Sequence, residues 1–144
     1  MASANIYLNY PGTAEAAFNF YKSVLGGDIV MLQRFKESPD TAGKVPEKDK
    51  DKIMHIAMPI GNGNMLMATD ALESMGHPLT VGNHFHIALS PESEAEAKKL
   101  FDGLSAGGNI VMPLSKASWG ALFGMFTDKF GIQWMVNYMP PPAK

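Results

Sequence analysis

The chain repeats one short phrase about half its length apart, and this repeat limits the folds available to it. The first copy begins at Gly26 and reads GGDIVML, and the second begins at Gly107 and reads GGNIVMPL. The first six residues of the two copies differ at a single position. Such a match predicts an internal duplication in which each copy builds the same supersecondary unit.

The first half of the chain is typical of a strand, a helix and three further strands. The run NIYLNYPG ends in a turn pair and predicts a strand. Thr13 is a good helix N-cap, and Gly26-Gly27 ends the helix. The apolar residues at helical spacing are Ala17, Phe20, Tyr21 and Val24. DIVMLQRF predicts a second strand, and KIMHIAMPI and NMLMATD predict a hairpin around Gly61-Asn62-Gly63.

The second half runs through the same order. NHFHIALS predicts a strand, and Ser93 with Glu96 has the spacing of a capping box at the start of a helix. The apolar stripe of that helix is Ala97, Leu100, Phe101 and Leu104. NIVMPL, ALFGMFTD and GIQWMVNYM predict three more strands, with Gly120 and Gly124 expected to mark a bulge or a close backbone approach. The predicted unit is therefore βαβββ, present twice.

The spacing between the copies is not constant. It is 81 residues at the Gly-Gly pairs and 68 between Gly63 and Gly131. The difference places an insertion in the first half, at 36–52, where Pro, Gly and alternating charge predict an exposed loop. We expect one domain over 1–144, with module one at 4–72 and module two at 82–139.

The predicted fold class is α+β. Two βαβββ modules related by a pseudo-twofold would form a curved mixed sheet around a cleft, and small ligands usually bind in such concave sites. Eleven methionines are many for 144 residues, and several fall at alternating strand positions. They either fill the core or form an adaptable apolar lining.

Composition excludes several classes of function. A net charge of −2 provides no field for nucleic acid or an anionic membrane, and a single arginine, Arg34, provides no multi-point phosphate clamp. With no cysteine there is no disulfide or thiol nucleophile, which fits a reducing cytoplasm. The N-terminal MASANIYLNY has neither the basic nor the apolar region of a signal peptide. We therefore expect a cytoplasmic protein.

The motifs resemble a known superfamily. FNFYKSVLGG after a first strand, HIALS at the start of the second module and DKFGIQWMVN at its end resemble the vicinal oxygen chelate superfamily, which includes glyoxalase I, bleomycin-resistance proteins and extradiol dioxygenases. YLNYPGTAEAAFNFYKSVLGG and HIAMPIGNGNMLMATD resemble its PhnB-like branch. The likeness covers about 5–138 and implies a glyoxalase-like fold. It also implies a homodimer, since dimers are common in this superfamily.

Metal-dependent members of this superfamily hold a divalent ion through His, Gln or Glu on the first and last strands of each module. Carried over by motif, the first-strand positions fall on His86 and on Ile6, or on Tyr7 if the register shifts by one. The last-strand positions fall on Met67 and Met135, whose thioethers do not suit a hard cation. The resemblance implies that His86 is the one family ligand retained, and we expect no metal or other cofactor.

Three histidines keep a metal-dependent alternative open. His84 and His86 are two residues apart and would share one face of a strand, while His55 belongs to the other module. Three imidazoles can bind Zn²⁺ or Fe²⁺. No nearby carboxylate has a spacing that would make it a further metal ligand. Asp70 could be considered for this role, but it lies at a strand end.

Polar and aromatic residues supply further ligand-binding candidates. Asn9 and Asn137 are amides in apolar strands, where each either orients a ligand or bonds to loop backbone. Trp119 either forms a wall of the cleft or fills the core. Thr69 and Gln133 have the strand parity of Met67 and Met135, and should face the cleft if those do.

The favoured function is binding of a small apolar or aromatic molecule in a methionine-lined cleft, without a catalytic metal and without nucleic-acid or membrane partners. The expected ligand-binding residues are Met67, Thr69, His86, Gln133, Met135, Asn137, Trp119 and His55. The alternative is a metal-dependent lyase, isomerase or dioxygenase that uses His55, His84 and His86. Whether the protein is an enzyme stays open, and no residue is assigned as catalytic.

Overall fold

Two units of the same topology follow one another along the chain. In the computed structural model, which describes residues 1–141, the chain divides into a first unit at Met1–Thr80 and a second that begins at Val81. The first unit contains β1 (Ile6–Tyr10), α1 (Ala14–Leu25), β2 (Met31–Arg34), β3 (Ile53–Gly61) and β4 (Asn64–Asp70). The second contains β5 (Ile87–Leu89), α2 (Glu94–Ser105), β6 (Asn109–Lys116), β7 (Leu122–Thr127) and β8 (Gln133–Tyr138). The duplicated βαβββ order is confirmed.

Each unit forms one four-stranded mixed sheet. The strand orders are β1-β4-β3-β2 and β5-β8-β7-β6. The first strand of each unit pairs in parallel with the last, and the other neighbouring strands pair antiparallel. The β3–β4 turn has positive φ at Gly61, Asn62 and Gly63, as predicted. The α+β fold class is confirmed.

Each helix covers one face of the sheet in its own unit. α1 contacts β3 and β4, and α2 contacts β6, β7 and β8. The buried residues of the two helices are Ala14, Ala17, Phe18 and Tyr21, and Ala97, Phe101, Leu104 and Ser105. The predicted α1 stripe is wrong at Phe20 and Val24, which are only half-buried, because the buried stripe runs through Phe18. Within residues 1–141 no helix is long and apolar enough to cross a membrane.

The two helices begin with different capping groups. The Ser93 hydroxyl accepts a hydrogen bond from the Glu96 N–H at 3.0 Å, and the Glu96 carboxylate accepts one from the Glu92 N–H at 3.0 Å. The predicted cap at Ser93 is confirmed. Thr13 occupies the N-cap position of α1, but its side chain makes no capping hydrogen bond. The prediction that the Thr13 side chain caps α1 is wrong.

A distant carboxylate holds the start of α1. Asp70, the last residue of β4, is 2% exposed. Its Oδ1 accepts the N–H groups of Gly12 at 3.1 Å and Ala14 at 3.0 Å, and its Oδ2 accepts the N–H of Ile53 at 2.8 Å. A negative charge beside a helix N-terminus is favoured by the helix dipole. Asp70 therefore joins β4, α1 and β3, and has the parity of the helix-covered face.

A second buried carboxylate closes the turn between β7 and β8. Asp128 Oδ1 accepts the N–H groups of Phe130 at 2.8 Å and Ile132 at 3.1 Å. Its Oδ2 accepts the indole N–H of Trp134 at 2.8 Å. Trp134 is fully buried, so this bond satisfies the one polar group of the largest core side chain in the second unit.

The insertion at 36–52 is mostly exposed, as its composition predicts, but three of its residues, Ser38, Val45 and Asp49, are buried. Short 3₁₀ turns cover Phe35–Glu37 and Glu47–Asp49. Val45 is 7% exposed and packs with Phe35 and Leu72 in a small buried cluster. The segment is therefore an exposed loop that a few buried side chains attach to the unit.

Strand β5 begins later than the sequence predicts. It starts at Ile87, so His84 and His86 precede the strand. The expectation that these two histidines share a strand face is wrong, because the strand ladder with β8 begins only at the Ile87–Trp134 pair.

The prediction of a close approach at Gly124 is confirmed. A Cβ at this position would lie 2.6 Å from a ring carbon of Phe101 and 3.0 Å from the Cα of Leu114. The β6–β7 pairing also shifts register between Met112 and Ser115. Gly124 therefore allows α2 and the irregular part of β6 to approach β7.

We expect Asp70→Ala to lower the free energy of unfolding by at least about 2 kcal/mol, because three backbone N–H groups lose their acceptor. Thr13→Ala should change it by no more than about 0.5 kcal/mol. Ser93→Ala, which removes a cap that is formed, should cost about 1 kcal/mol. Urea unfolding measures all three, and a larger loss for Thr13→Ala than for Ser93→Ala would contradict the assignment.

Candidate functional site

The face of the first sheet opposite α1 carries side chains from all four strands, with Met31 and Gln33 of β2 beside Ala57 and His55. We call this surface the first open face, and its residues on β1, β3 and β4 are Tyr7, Asn9, His55, Ala57, Met67 and Thr69. Met67 is half-buried and lies between Tyr7 on one side and Ala57 on the other. The sequence prediction that Met67 and Thr69 share one face is confirmed by the strand alternation, since Leu66, Ala68 and Asp70 are buried on the other.

Two contacts organise the first open face. The rings of Tyr7 and His55 are stacked, with centroids 5.8 Å apart and an interplanar angle of 28°. The Thr69 hydroxyl donates to the carbonyl of Ile53 at 3.3 Å. Thr69 is therefore engaged with the backbone, while His55 presents its imidazole beside a phenol.

The face of the second sheet opposite α2 is its counterpart. We call it the second open face. Its residues on β5, β7 and β8 are Ala88, Phe123, Met125, Thr127, Gln133, Met135 and Asn137, and the β6 residues paired with them are Asn109, Met112 and Ser115. The strand ladder places Met125 directly opposite Met135, and both are half-buried. Two thioethers thus lie side by side on this face, with Ala88 on the other side of Met135.

An aromatic pair lies at one end of the second open face. The Trp119 and Phe123 rings are T-shaped, with centroids 5.8 Å apart and an interplanar angle of 66°. Trp119 is 59% exposed, so the alternative that it fills the core is wrong. We call Trp119 and Phe123 the aromatic corner.

The two side-chain amides of the second open face differ in their hydrogen bonding. Gln133 Nε2 donates to the carbonyl of Phe85 at 2.7 Å. Asn137 Oδ1 is buried and has no hydrogen-bond partner among residues 1–141. Asn137 lies directly opposite Phe123, so this oxygen neighbours the aromatic corner.

The ladder registers correct the metal-ligand position inferred for the first unit. Tyr7 lies opposite Met67, and Ala88 lies opposite Met135. The residue of β1 equivalent to His86 is therefore Asn5, and not Ile6 or Tyr7.

Neither of the first-strand positions completes a recognisable metal site. The side-chain Oδ1 of Asn5 accepts a hydrogen bond from the N–H of Met65 at 3.0 Å. His86 is half-buried immediately before β5. Among residues 1–141 no group of three or more His, Cys, Asp or Glu side chains is placed to hold a metal ion.

The single arginine is committed within the first unit. Arg34 makes a bidentate pair with Glu15, at 3.1 and 2.9 Å, and also donates to the carbonyl of Asp51 at 2.8 Å. The hydrogen bonds to Glu15 are the main cause that raises the pKa of Arg34 above its ordinary value. Arg34 thus joins α1, β2 and the end of the insertion.

A separate polar pocket of about 430 Å³ lies on the first unit, between the insertion and the turn after β4. Its charged lining residues are Lys48, Asp49, Lys52 and Glu73. Asp49 is 3% exposed, and its carboxylate accepts hydrogen bonds from Lys52 at 2.8 Å and from the Ser74 hydroxyl at 2.8 Å. The positive charges of the two lysines balance the negative charges of the two carboxylates. The Asp49 contacts attach the insertion to the unit.

Comparison with known proteins identifies the family. The sequence profile of the Glyoxalase/Bleomycin resistance protein/Dioxygenase superfamily matches residues 7–136. The chain belongs to this superfamily. It is 30% identical over 134 residues to Protein YjdN of Escherichia coli K12, with 91% of each chain covered.

Two solved structures of the superfamily fold are especially similar to this chain. Protein PA1353 from Pseudomonas aeruginosa is 36% identical, with a TM-score of 0.83 over 96% of this chain and 98% of that one. The PhnB protein from Bacillus cereus is 27% identical, with a TM-score of 0.76 over 95% of this chain and 99% of that one. The resemblance to the superfamily and to its PhnB-like members is confirmed.

Sequence reasoning found residues on β1, β3 and β4 of the first open face, but on the second open face it found those of β8 and missed the neighbouring β7. Met67 and Met135 were identified, but Phe123 and Met125 were not. Their alternation with the buried residues Leu122 and Phe126 was the available signal. No sequence pattern predicted the contacts of Asp49 with Lys52 and Ser74, because Ser74 lies 25 residues from Asp49.

The Asp49 contacts predict a pH dependence. The hydrogen bond from Lys52, followed by that from Ser74, lowers the pKa of the Asp49 carboxyl below its ordinary value. A lowered pKa contributes stability that is present above the unfolded-state pKa of about 3.9 and is lost as the pH falls through the folded-state pKa. The stability difference between wild type and Asp49→Asn should therefore be full near pH 6 and should shrink below about pH 4.

Urea unfolding of both proteins across this pH range measures the difference. Asp40→Asn, at an exposed aspartate of the same insertion, is the matched control. A difference between wild type and Asp49→Asn that is constant from pH 6 to pH 3 would contradict the prediction.

Proposed function

We propose that this protein binds a small, largely apolar or aromatic molecule against an open sheet face, without a catalytic metal. The observation that carries the proposal is the pair of half-buried methionines, Met125 and Met135, side by side on a face that no helix of the same unit covers. Thioether side chains are flexible and polarisable, and they adapt to apolar ligands of varied shape.

The donor chemistry of the family ligand positions supports binding without a metal. By the resemblance to the superfamily, Met67 and Met135 stand at the last-strand positions that ligate the metal in metal-dependent members. Both residues lie on open faces, and both carry thioethers. Thioethers favour soft ions, whereas the metals of oxygen and imidazole sites are hard or borderline. The residues present therefore do not fit the divalent ion of metal-dependent relatives, and we assign no reaction step to a metal.

Each remaining candidate residue has a role in the proposal. Met67 on the first open face and Met135 on the second each provide apolar contact on their own face, and Trp119 forms an exposed aromatic wall beside the second. Asn137 orients the ligand through its unpartnered oxygen. Four further side chains lie on these faces or beside them and support the binding surface. They are Thr69, Gln133, His55 and His86.

We also propose that the protein forms a homodimer and is located in the cytoplasm, as expected from its sequence. Three consecutive apolar residues of β6, Ile110, Val111 and Met112, are each about half exposed, at 51%, 53% and 48%. Their exposure supports association of two copies through this region. The absence of cysteine supports a reducing compartment.

Thermal-shift measurements with 2-naphthol as the probe test the apolar site. We expect 2-naphthol to raise the Tm of the wild type, because a ligand that binds only the folded state stabilises it. The rise should be lost in Met135→Asp, which places a charge among apolar side chains. Met75→Asp is the matched control, since Met75 is 38% exposed and lies outside both open faces. An unchanged rise in Met135→Asp would overturn this placement of the site.

Metal analysis tests the alternative of a metal-dependent lyase, isomerase or dioxygenase that uses His55, His84 and His86. Protein purified without a histidine tag should contain far less than one equivalent of Zn, Fe, Mn or Ni by elemental analysis. His77→Ala is the control for His86→Ala, because His77 is exposed and lies outside the proposed sites. One equivalent of metal that His86→Ala loses and His77→Ala keeps would refute the proposal.

A further inference from the structure

One polar atom of the second open face has no use within the unit. Asn137 Oδ1 is buried from solvent, and no donor of residues 1–141 reaches it. Buried acceptors in proteins are paired in the great majority of cases, because an unpaired one loses its hydrogen bonds to water and gains none in return. Asn137 Oδ1 is therefore a candidate contact for a molecule from outside the chain, which would reach it through a shift of the side chains that cover it.

The other polar side chains of the last strands do not share this state. Gln133 is bonded to the carbonyl of Phe85, and Thr69 to the carbonyl of Ile53. Both act as donors to the backbone, so their positions are explained by the fold. Asn137 differs because its side-chain oxygen makes no hydrogen bond within residues 1–141.

The position of Asn137 indicates what kind of molecule would meet it. Asn137 lies directly opposite Phe123, where cross-strand Cβ atoms are about 4.5–5.5 Å apart. Phe123 is in edge contact with Trp119, whose indole is more than half exposed. Aromatic rings bind planar molecules by stacked or edge-to-face contact. The acceptor and the aromatic corner are thus adjacent.

We infer that the ligand is a planar aromatic molecule that carries an N–H or O–H donor, and that Asn137 selects it by accepting this hydrogen. The inference rests on the proposed function, whose ligand class it narrows. The aromatic corner supplies affinity for the ring, and Asn137 Oδ1 discriminates between rings with and without a donor. A ring with a donor gains a hydrogen bond that the free protein does not make, whereas a ring without one leaves the acceptor unpaired as before.

Isothermal titration calorimetry with two matched probe pairs tests the discrimination. The pairs are indole with 1-methylindole, and 2-naphthol with 2-methoxynaphthalene, in which a methyl group replaces the donor hydrogen. In the wild type the donor member of each pair should bind about tenfold more tightly, or better. In Asn137→Leu the ratio within each pair should fall to about one, because the acceptor is gone.

Two control variants separate the acceptor from the ring contacts. Asn19→Leu makes the same substitution at an exposed position of α1 and should keep the wild-type ratio. Trp119→Ala should weaken both members of a pair by a similar factor, since both present the same ring. A donor preference that is absent in the wild type, or that survives in Asn137→Leu, would overturn the inference.

The ligand-free protein provides a second measurement. Asn137→Leu removes an unpaired buried acceptor and should raise the Tm by about 2–4 °C. Asn19→Leu should leave the Tm within about 1 °C of the wild type. A fall in Tm for Asn137→Leu would show that the oxygen is already served in the free protein, and would also overturn the inference.

Failure of the inference can be told apart from failure of the proposed function. If both members of each pair bind equally and Met135→Asp abolishes both, the apolar site stands and selection by Asn137 is wrong. If no probe binds the wild type, the proposed function and the ligand class both fail.

Discussion

The carboxylate of Asp70 accepts backbone hydrogen bonds from residues that lie 58, 56 and 17 positions away in the chain. These bonds join the end of β4 to the first turn of α1 and to the start of β3. Because the carboxylate satisfies N–H groups that a helix start leaves free, it fixes where α1 begins above the sheet. The helix then covers one face of the first sheet with Ala17, Phe18 and Tyr21. Met67 and Thr69 are left on the other face, so the location of the candidate site follows from this anchor.

The second unit reaches the same topology with a different anchor. The ladder position equivalent to Asp70 is occupied by Tyr138, and the cap of α2 is its own Ser93. The buried carboxylate of this unit, Asp128, instead serves the β7–β8 turn and the indole of Trp134. The strand order and the helix-covered face are therefore common to both copies, while the buried polar groups that hold them differ. Topology constrains which residues face each other, and it leaves open which hydrogen bonds secure them.

Much of the fold could be predicted because strand alternation and helix spacing are local signals. The same alternation placed Met67 with Thr69, and Gln133 with Met135 and Asn137, on common faces. Three features were out of reach for a physical reason, since each depends on a partner that is distant in sequence. The start of α1 is held by Asp70 and not by the Thr13 side chain, the equivalence of Asn5 with His86 required the β1–β4 and β5–β8 registers, and the burial of Val45 required contact with Leu72. Register and partner choice come from pairing, which a single strand does not encode.

The state of the polar groups on the open faces decides what kind of recognition they can perform. Thr69 and Gln133 donate to backbone carbonyls, so they stiffen the faces and are not free to select a ligand. Thioethers at Met67, Met125 and Met135 offer contact area with little preference for shape. A surface of this composition would bind many apolar molecules with similar affinity, because apolar contact is not directional. Asn137 Oδ1 is a directional element on the second open face, and in the proposed recognition the choice among ring systems would depend on a hydrogen bond to it.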